Sequence, residues 1–466
     1  MKKIAIIIQR YGEKVSGGSE FYARALAKHL KDFYEVTVLT TTALETDFSK
    51  YYKQGRELDD GVTILRFDNS KAIDFSRLGE LSQELVCDIK NTENNDNENL
   101  GFELQWSDEW GPKCPDLIKY VEKNKNQYDA FIVFTYIYYT AIRTIPLIKD
   151  KTIFIPTAHD EVWIRQSIFR KIFNMPRFFG FLTKGEEDFV RGYFKNENIP
   201  GEIIGCGVDL PNKIDNLKFR EKYGIKGDYI AYVGRVHNSK GVDILIKYFK
   251  KYKKRKKSNL KLVIMGSGNV VDEDNDRDII FTGFVDEQEK FDGISGALLT
   301  VAPSKYESLC IAVLESFYCG VPILANGECK ILEAHCQEGK TGYIYTSEKE
   351  FIDALDIMVR NEDLRKQMSK ATYDYIHKNY SWNIVLDKIN KMINFIISHP
   401  IREDNKEDNN EFALRNVYED TYDTIDIISG NTNTIVEPAF QKNSIAICFT
   451  SSNEFSSISA VAINSL

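Results

Sequence analysis

This sequence lacks the long apolar runs that form signal peptides and membrane-spanning helices. The first apolar stretch, Ile4–Ile8, is too short for the core of a signal peptide, and no run approaches the length that spans a bilayer. This stretch is typical of a buried first strand instead. The sequence therefore predicts a cytoplasmic protein.

Two kinds of cysteine chemistry are also absent. The eight cysteines form no C-x-x-C pair, which excludes the common zinc spacings, and the chain is too long for a fold that disulfides hold together. We expect reduced and mostly buried thiols. They are Cys87, Cys114, Cys206, Cys310, Cys319, Cys329, Cys336 and Cys448.

The common nucleotide-binding fingerprints are missing as well. No Walker sequence occurs, and the glycine pair Gly17-Gly18, which follows the first predicted strand, is not part of a G-x-G-x-x-G pattern. The net charge of −8 also excludes an obvious nucleic-acid binder. Any ligand site must therefore be sought in other loops.

Length and composition indicate two large folded domains. The 466 residues exceed what one core can organise, and 43% hydrophobic with 28% charged residues argues against global disorder. We expect a first domain over residues 1–205 and a second over 206–380. A long amphipathic helix follows in 381–399, then an acidic linker over 400–442 and an incomplete strand–helix unit over 443–466.

Predicted strands alternate with helices such as Ser19–Leu30 and Val242–Lys257, which is typical of doubly wound α/β domains. Ligands of such sheets bind beyond the carboxyl ends of the strands, so a cleft between the two domains is the expected site. The polar segment 88–101 predicts a surface loop. The predicted strands are Lys3–Gln9, Glu35–Thr40, Val62–Phe67, Asp129–Thr135, Thr152–Pro156, Tyr229–Val233, Lys261–Met265, Ile279–Thr282, Ala297–Val301 and Pro322–Ala325.

Two glutamates eight positions apart, Glu307 and Glu315, stand in the segment Pro303–Pro322. Glu307 falls in a predicted loop and Glu315 in a predicted helix, and at about 1.5 Å per residue this spacing spans roughly 12 Å. That length matches the distance between the ribose and the transferred sugar of a nucleotide sugar. A helix N-terminus between them favours a diphosphate. An ordinary amphipathic helix with a polar start is the alternative.

Loops after several predicted strands carry further candidates. Arg235 and Lys240 flank a loop before a helix, where a guanidinium fork and an ammonium can clamp a diphosphate and neutralise a leaving group; a solvated basic loop is the alternative. Gly17-Gly18 and Gly266 let backbone approach a ligand or serve ordinary turns. His159 either contacts substrate or is a satisfied buried histidine.

A run of cations, Lys250–Lys257, ends the predicted helix that follows Lys240. Cations suit the negative end of a helix, so a solvated helix end is the main interpretation. Peripheral contact with anionic lipid at the inner face of a membrane is the alternative.

Taken together, these segments resemble the retaining glycosyltransferases of family 4, which have a GT-B fold of two facing Rossmann-like domains. The resemblance covers about residues 1–398, and it implies that the long helix crosses back to the first domain. The segments are GGSE after the first strand, HDE after Thr152–Pro156, GCGVD at Gly205–Asp209, GRVHNSKG, and the glutamate pair before CGVP.

The resemblance implies roles for residues of this chain. Arg235 and Lys240 would bind the donor diphosphate, Glu315 the ribose, and Glu307 the transferred sugar. The backbone N–H groups of Ser308, Leu309 and Cys310 would assist Glu307. Gly17 and Gly18 would approach the phosphates and the acceptor, and His159 would contact the donor sugar. Gly266, on the evidence of its loop alone, is a further candidate for donor binding. No metal and no cofactor is expected. Cys310 stands where the family often has glycine, which puts the identity of the sugar in doubt.

The last residues carry a second resemblance. Residues 444–466 are similar to the first strand and helix of the family-8 glycosyltransferases, which have a GT-A fold. This implies the start of a second enzyme domain that the chain does not finish. A strand and helix that dock on the main body are the alternative.

The implied activity is transfer of a hexose-type sugar, with retention, from a nucleoside-diphosphate sugar to a glycan or lipid-linked glycan. Cell-surface polysaccharide or lipopolysaccharide synthesis is the expected setting. Two alternatives stay open at this point. One is a GT-B-like epimerase that converts a nucleotide sugar without an acceptor, and the other is a non-catalytic protein that binds glycans or nucleotides.

Overall fold

The computed structural model describes residues 1–92 and 100–401. Most of the predicted linker and the whole of the family-8-like tail lie outside these residues. Met1–Pro400 form one compact unit, in which the strands assemble into two separate sheets. The predicted doubly wound α/β class is confirmed, since helices alternate with parallel strands in both sheets.

The first sheet has eight strands in the order β3-β4-β2-β1-β5-β6-β7-β8. All neighbours pair in parallel except β3, which runs antiparallel to β4 at the edge. Its strands are β1 Lys3–Ile7, β2 Glu35–Thr41, β3 Gly55–Asp59, β4 Val62–Phe67, β5 Ala130–Phe134, β6 Thr152–Ile155, β7 Phe178–Phe181 and β8 Gly201–Ile203. The accompanying helices are α1 Gly18–Leu30, α2 Phe75–Thr92, α3 Leu100–Trp110, α4 Pro115–Asn124, α5 Tyr139–Ile148, α6 Ser167–Ile172 and α7 Lys184–Phe194.

The second sheet has six parallel strands in the order β11-β10-β9-β12-β13-β14. Its strands are β9 Tyr229–Val233, β10 Lys261–Met265, β11 Ile279–Gly283, β12 Thr300–Ala302, β13 Ile323–Asn326 and β14 Gly342–Tyr345. The helices that follow β8 are α8 Asn216–Lys222, α9 Val242–Lys256, α10 Glu287–Ser295, α11 Ile311–Tyr318, α12 Lys330–Gly339, α13 Glu348–Arg360, α14 Glu362–Asn379 and α15 Trp382–Ser398.

The predicted surface loop over residues 88–101 is wrong at both ends. α2 continues to Thr92 and α3 begins at Leu100. The prediction rested on polarity, and polarity alone does not stop a surface helix when no proline or glycine pair interrupts it. Residues 93–99 lie outside the described part of the chain.

The last helix, α15, contacts the first sheet. Lys388 Nζ donates to the carbonyl of Ile203 at the end of β8, and Ile389 and Ile393 are fully buried. These side chains belong to an apolar cluster that also holds Ile6 of β1 and Leu314 of α11. One apolar core therefore extends across both sheets and lies beneath the facing loops.

Candidate active site

A loop of the second sheet, residues 303–310, joins β12 to α11. Two side chains hold its ends, because Asn326 Nδ2 donates to the carbonyl of Pro303 over 3.1 Å and His335 Nε2 lies 2.9 Å from the carbonyl of Leu309. Cys310 is the N-cap of α11 and makes no side-chain cap hydrogen bond. The N–H of Val313 donates to the carbonyl of Cys310 over 2.9 Å, which leaves the first two N–H groups of the helix, those of Ile311 and Ala312, for another acceptor.

The roughly 12 Å helical spacing between Glu307 and Glu315 is not what the structure shows. α11 begins only at Ile311, so Glu307 precedes it in the loop, where the helical rise does not apply. Glu315 does lie in the second turn of the helix, as predicted. The loop conformation, rather than a helix, decides how far apart the two carboxylates stand.

Cys310 has φ of +63°, in the left-handed region that glycine favours. A side chain costs about 1–2 kcal/mol in this conformation. We expect Cys310→Gly to raise the free energy of unfolding by up to about 1 kcal/mol, since the added flexibility of glycine offsets part of the relief. Cys310→Val is expected to lower it. Urea unfolding of the two variants checks this, and equal destabilisation by both would contradict it.

Lys240 and Glu307 form an ion pair with 2.6 Å between Nζ and Oε1. Burial lowers the pKa of the Lys240 ammonium, but the Glu307 carboxylate more than offsets this and the pKa lies above its ordinary value. Lys240 comes from the 3-10 turn Asn238–Lys240 that precedes α9. The two predicted donor ligands therefore lie together at the start of α11, and each is now bound to the other.

Arg235 lies in the loop after β9, on the same side of the sheet as Lys240. Its side chain is exposed, and within the described residues it forms no ion pair. Its backbone is fixed, because Tyr232 Oη donates to the carbonyl of Arg235 over 2.7 Å. The guanidinium is therefore free to meet an anion from solvent.

Gly266 has a packing role in this structure. A Cβ at this position would lie 1.9 Å from the carbonyl oxygen of Gly234. Its N–H donates to the carbonyl of Gly283 over 2.9 Å, and Val236 N–H donates to the carbonyl of Ser267. Close contact with the loop that carries Arg235 accounts for this glycine without a ligand.

Glu315 is buried and paired with a lysine that no sequence motif singled out. Its Oε1 lies 2.5 Å from Lys290 Nζ, with side chains 4% and 12% exposed. Burial raises the pKa of Glu315, and Lys290 offsets only part of this effect. Lys290 also lies over the ring of Phe21 in α1, 5.2 Å from its centroid. Glu315, the predicted ribose ligand, is thus already paired with Lys290, and Lys290 in turn contacts Phe21 of the first domain.

The glycine pair of the first domain is held by a buried carboxylate. Glu20 accepts from Gln9 Nε2 over 2.9 Å and pairs with Arg10 at 2.6 Å, and both charged side chains are under 5% exposed. Glu20 folds back so closely that a Cβ at Gly17 would lie 2.1 Å from its Oε2. The sequence GGSE is therefore the N-cap and first turn of α1, held in place by the Glu20 carboxylate.

Three contacts bring loops of the two sheets face to face. A Cβ at Gly18 would lie 3.7 Å from Ile311 Cδ1 at the start of α11. Thr183 Oγ1 donates to the carbonyl of Ser308 over 3.2 Å. The rings of His159 and Tyr306 have centroids 6.0 Å apart. Gly18 and His159 thus lie opposite the segment that holds Glu307.

His159 follows β6 and is about one third exposed. Its Nδ1 is buried and has no hydrogen-bond partner within the described residues, with Glu161 Oε1 3.7 Å away. Tyr136 donates to that same Glu161 oxygen over 2.5 Å. His159 Nδ1 can therefore form a hydrogen bond with a bound molecule, or with a neighbour after a small rotation of the ring.

Glu186 fixes the backbone before His159, and the sequence analysis missed it. Its two carboxyl oxygens accept from the N–H groups of Ala158 and Leu182, each over 2.6 Å. The side chain is almost completely buried, and burial raises its pKa to about 8. The residue stands at the start of α7, capped by Thr183, and no motif distinguishes it from its neighbour Glu187.

The raised pKa of Glu186 makes a prediction for stability. Between its ordinary pKa near 4.5 and about 8, the folded state holds a proton that the unfolded state has released. Stability from this carboxyl is therefore fully present below pH 4.5 and falls by up to about 1.4 kcal/mol per pH unit towards pH 8. Glu186→Gln should flatten this slope in urea unfolding across that range, and an unchanged slope would refute the assignment.

The run of cations at Lys250–Lys257 is largely neutralised within the protein. Lys250 pairs with Asp272 and Asp274, and Lys253 pairs with Asp278. The remaining pairs join Lys251 and Arg255 to Glu348, and Lys256 to Asp356. The membrane-contact alternative loses its main support, because this segment presents few unpaired charges.

The described residues contain neither a membrane-spanning helix nor a metal cluster. None of the helices there is long and apolar enough to cross a membrane. No group of three or more histidine, cysteine or acidic side chains in those residues is placed to hold a metal ion.

A family model covers the second domain. Residues 215–375 match the glycosyl transferases group 1. This segment contains Arg235, Lys240, Glu307 and Glu315. The match thus falls on the sheet that carries the proposed donor ligands.

Curated relatives match in part. An uncharacterized glycosyltransferase from Methanocaldococcus jannaschii is 27% identical over 188 residues, which cover 38% of this chain and 48% of that protein. An alpha-D-kanosaminyltransferase from Streptomyces kanamyceticus is 27% identical over 195 residues, covering 39% and 49%. The chain therefore spans about half the length of these relatives.

Solved structures share the fold over most of the chain. Sucrose-phosphate synthase from Thermosynechococcus elongatus has a TM-score of 0.64 at 14% identity, covering 85% of this chain and 100% of that one. HepE from Anabaena, in complex with UDP and glucose, has a TM-score of 0.59 at 13% identity, covering 84% and 100%. WaaG, a glycosyltransferase involved in lipopolysaccharide biosynthesis, has 0.57 at 13%, covering 84% and 99%. The predicted GT-B fold is confirmed by these neighbours.

Proposed function

We propose that this chain is a metal-independent, retaining glycosyltransferase of family 4. It transfers a sugar from a nucleoside-diphosphate sugar to a hydroxyl of a glycan, in the synthesis of a cell-surface polysaccharide or lipopolysaccharide. One observation carries the proposal. Lys240 and Glu307 meet beside the uncapped start of α11, and Gly18 and His159 of the first domain face that point.

The donor diphosphate is expected at the start of α11. The free N–H groups there and the positive end of the helix favour an anion. Lys240 then gives up part of its contact with Glu307 and contacts a phosphate oxygen. Arg235, in the same connection between β9 and α9, adds a guanidinium fork of hydrogen-bond donors. Both cations stabilise the negative charge that grows on the leaving diphosphate, which is the role a metal ion would otherwise take.

Glu307 is expected to hold the transferred sugar. Its carboxylate is an acceptor for sugar hydroxyls, and its side chain is 14% exposed in the present pair with Lys240. When a phosphate takes over Lys240, the carboxylate gains room for a hydroxyl. Same-face attack assisted by the leaving phosphate would then retain the anomeric configuration.

The acceptor is expected to enter from the first domain. Gly18 and His159 lie across from Ile311 and Tyr306, so a hydroxyl held there would approach the sugar from the opposite wall. Glu20 in the first turn of α1 and the carboxyl of Glu186 keep these two groups in place. Closing the domains over donor and acceptor would exclude water and limit hydrolysis.

Relatives guide the choice of donor. HepE has been solved with UDP-glucose, and TarM from S. aureus with UDP and alpha-GlcNAc-glycerol. We therefore propose uridine diphosphate sugars as the first donors to examine.

The test titrates UDP, GDP, ADP and CMP into the full chain by calorimetry. Binding of one nucleoside diphosphate, weakened in Arg235→Ala and kept in Lys254→Ala, would support the site, because Lys254 is an exposed cation of α9 with no role in it. EDTA should change neither binding nor transfer. Failure of every nucleotide to bind would refute the proposal.

Proton spectra of a bound sugar nucleotide separate the two alternatives. An epimerase would convert the sugar nucleotide alone, whereas the proposed transferase requires an acceptor pool for turnover. Binding without turnover, with every acceptor pool offered, would favour a non-catalytic protein.

A further inference from the structure

A line of buried and half-buried polar groups runs from the 303–310 loop to the junction of the two domains. The carbonyl of Leu309 lies 2.9 Å from His335 Nε2, and His335 Nδ1 lies 3.1 Å from Tyr375 Oη. Tyr375 Oη lies 3.5 Å from Tyr380 Oη. His335 is 1% exposed. The line therefore starts beside the residues proposed to hold the sugar.

The direction of these hydrogen bonds follows from chemistry. A carbonyl only accepts, so His335 Nε2 carries a hydrogen and donates to Leu309. Burial lowers the pKa of His335 to about 4, so the ring is neutral at pH 7 and Nδ1 accepts from the Tyr375 hydroxyl. The Tyr375 oxygen can then accept from Tyr380. Each group has one role, and removing one leaves its neighbour unpaired in a buried place.

The far end of the line is where the chain crosses between the sheets. The first crossing follows β8, and the return crossing lies between α14 and α15 at Tyr380–Trp382. Gly205 has φ of +67°, and a Cβ there would lie 2.7 Å from the Tyr380 ring. Tyr318 of α11 donates to the carbonyl of Tyr380 over 3.1 Å. Both crossings and α11 thus meet at Tyr380.

We propose that His335 and Tyr375 are positioning residues that couple the 303–310 loop to the interdomain junction at Tyr380. The loop then reaches its donor-binding conformation only when the contacts at Tyr380 are formed. As a role in donor binding, this rests on the proposed function. In this proposal neither His335 nor Tyr375 touches a reacting group, and both act through the loop. The coupling acts through Leu309, which directly precedes Cys310, the N-cap of α11.

The first measurement does not depend on activity. Tyr375→Phe removes one hydroxyl and keeps the ring, so the full chain is expected to fold. Hydrogen exchange of peptides covering residues 306–316 should be about fivefold to tenfold faster than in the wild type, as expected for losing one buried hydrogen bond. Tyr373→Phe is the matched control, because Tyr373 is exposed on the same helix and stacks only on His377. Equal exchange in both variants would overturn the coupling.

The second measurement separates positioning from mere structure. With UDP as the probe, Tyr375→Phe and His335→Leu should bind about fivefold or more weakly, and His335→Gln should recover much of the loss because glutamine offers both a donor and an acceptor. Lowered melting temperatures with unchanged UDP binding would mean a structural role only and would overturn the proposal. If the wild type itself binds no UDP or other nucleoside diphosphate, the proposed function fails, and the exchange measurement still decides the coupling.

Discussion

Arg235→Ala is expected to lower the rate of sugar transfer about 10²–10³-fold, in line with the loss of one electrostatic contact to a developing charge. The guanidinium is exposed and forms no ion pair within the described residues, so its removal strands no buried partner. Folding should therefore be unaffected. The effect should fall on kcat and on kcat/KM alike, since the charge that Arg235 meets is largest in the transition state.

Lys240→Ala should slow transfer by a similar factor, with an additional effect on the site. Its loss leaves the Glu307 carboxylate, which is 14% exposed, without its cation. A sugar that needs Glu307 in place would then bind more weakly, so the donor KM should rise as well. Comparing the two variants separates a contact made in the transition state from one that also organises the ground state.

Single-turnover and steady-state rates with a matched control complete this test. Lys254→Ala removes an equally exposed cation from α9 and should leave both kcat and KM unchanged. Turnover near that of the wild type in both Arg235→Ala and Lys240→Ala would show that neither cation serves the leaving group.

Three predicted strands match the structure residue for residue. One of them, Val62–Phe67, alternates between buried and half-buried residues, and the other two are apolar runs. Tyr229–Val233 and Lys261–Met265 match the structure residue for residue, because central parallel strands must be apolar on both faces. β3 was missed because four of its five residues are exposed at the edge of the sheet. β7, β8 and β14 have three or four residues each, which is too short for a periodic signal.

The site shows a similar division. Loops after strands flagged Arg235, Lys240, Glu307 and His159, since the carboxyl ends of parallel strands collect ligands. The residues that hold these loops in place, and the lysine that pairs with Glu315, could not be predicted from the sequence. Lys290, Glu186 and His335 lie on helices in polar stretches that resemble any solvated surface. Only the packing of helices onto sheets decides which polar side chain becomes buried and what it meets.

The second large effect concerns Glu315, which the sequence assigned to ribose alone. Glu315→Gln is expected to lower the free energy of unfolding by roughly 3–5 kcal/mol, because it leaves the Lys290 ammonium buried without its carboxylate. Among the carboxylates of the described residues, Lys290 then pairs with Glu287 alone, whose side chain is 60% exposed. Urea unfolding followed by intrinsic fluorescence measures this loss.

Glu287→Gln is the matched control for the destabilisation. It removes the other carboxylate that contacts Lys290, at 2.8 Å, but this carboxylate is exposed, and an exposed carboxylate paired three residues away on a helix contributes at most about 0.5 kcal/mol. A loss as large as that of Glu315→Gln would mean that both carboxylates share the lysine equally. A loss near zero in both variants would contradict the buried pair.

The double variant Glu315→Met with Lys290→Met separates stability from ligand binding. Replacing a buried ion pair by apolar side chains of similar volume is often neutral, so most of the stability should return. UDP affinity should stay low if Glu315 binds the ribose, because methionine offers a ribose hydroxyl no comparable acceptor. If UDP instead binds the stable double variant as tightly as the wild type, Glu315 acts only by holding Lys290, a residue of α10, against the ring of Phe21.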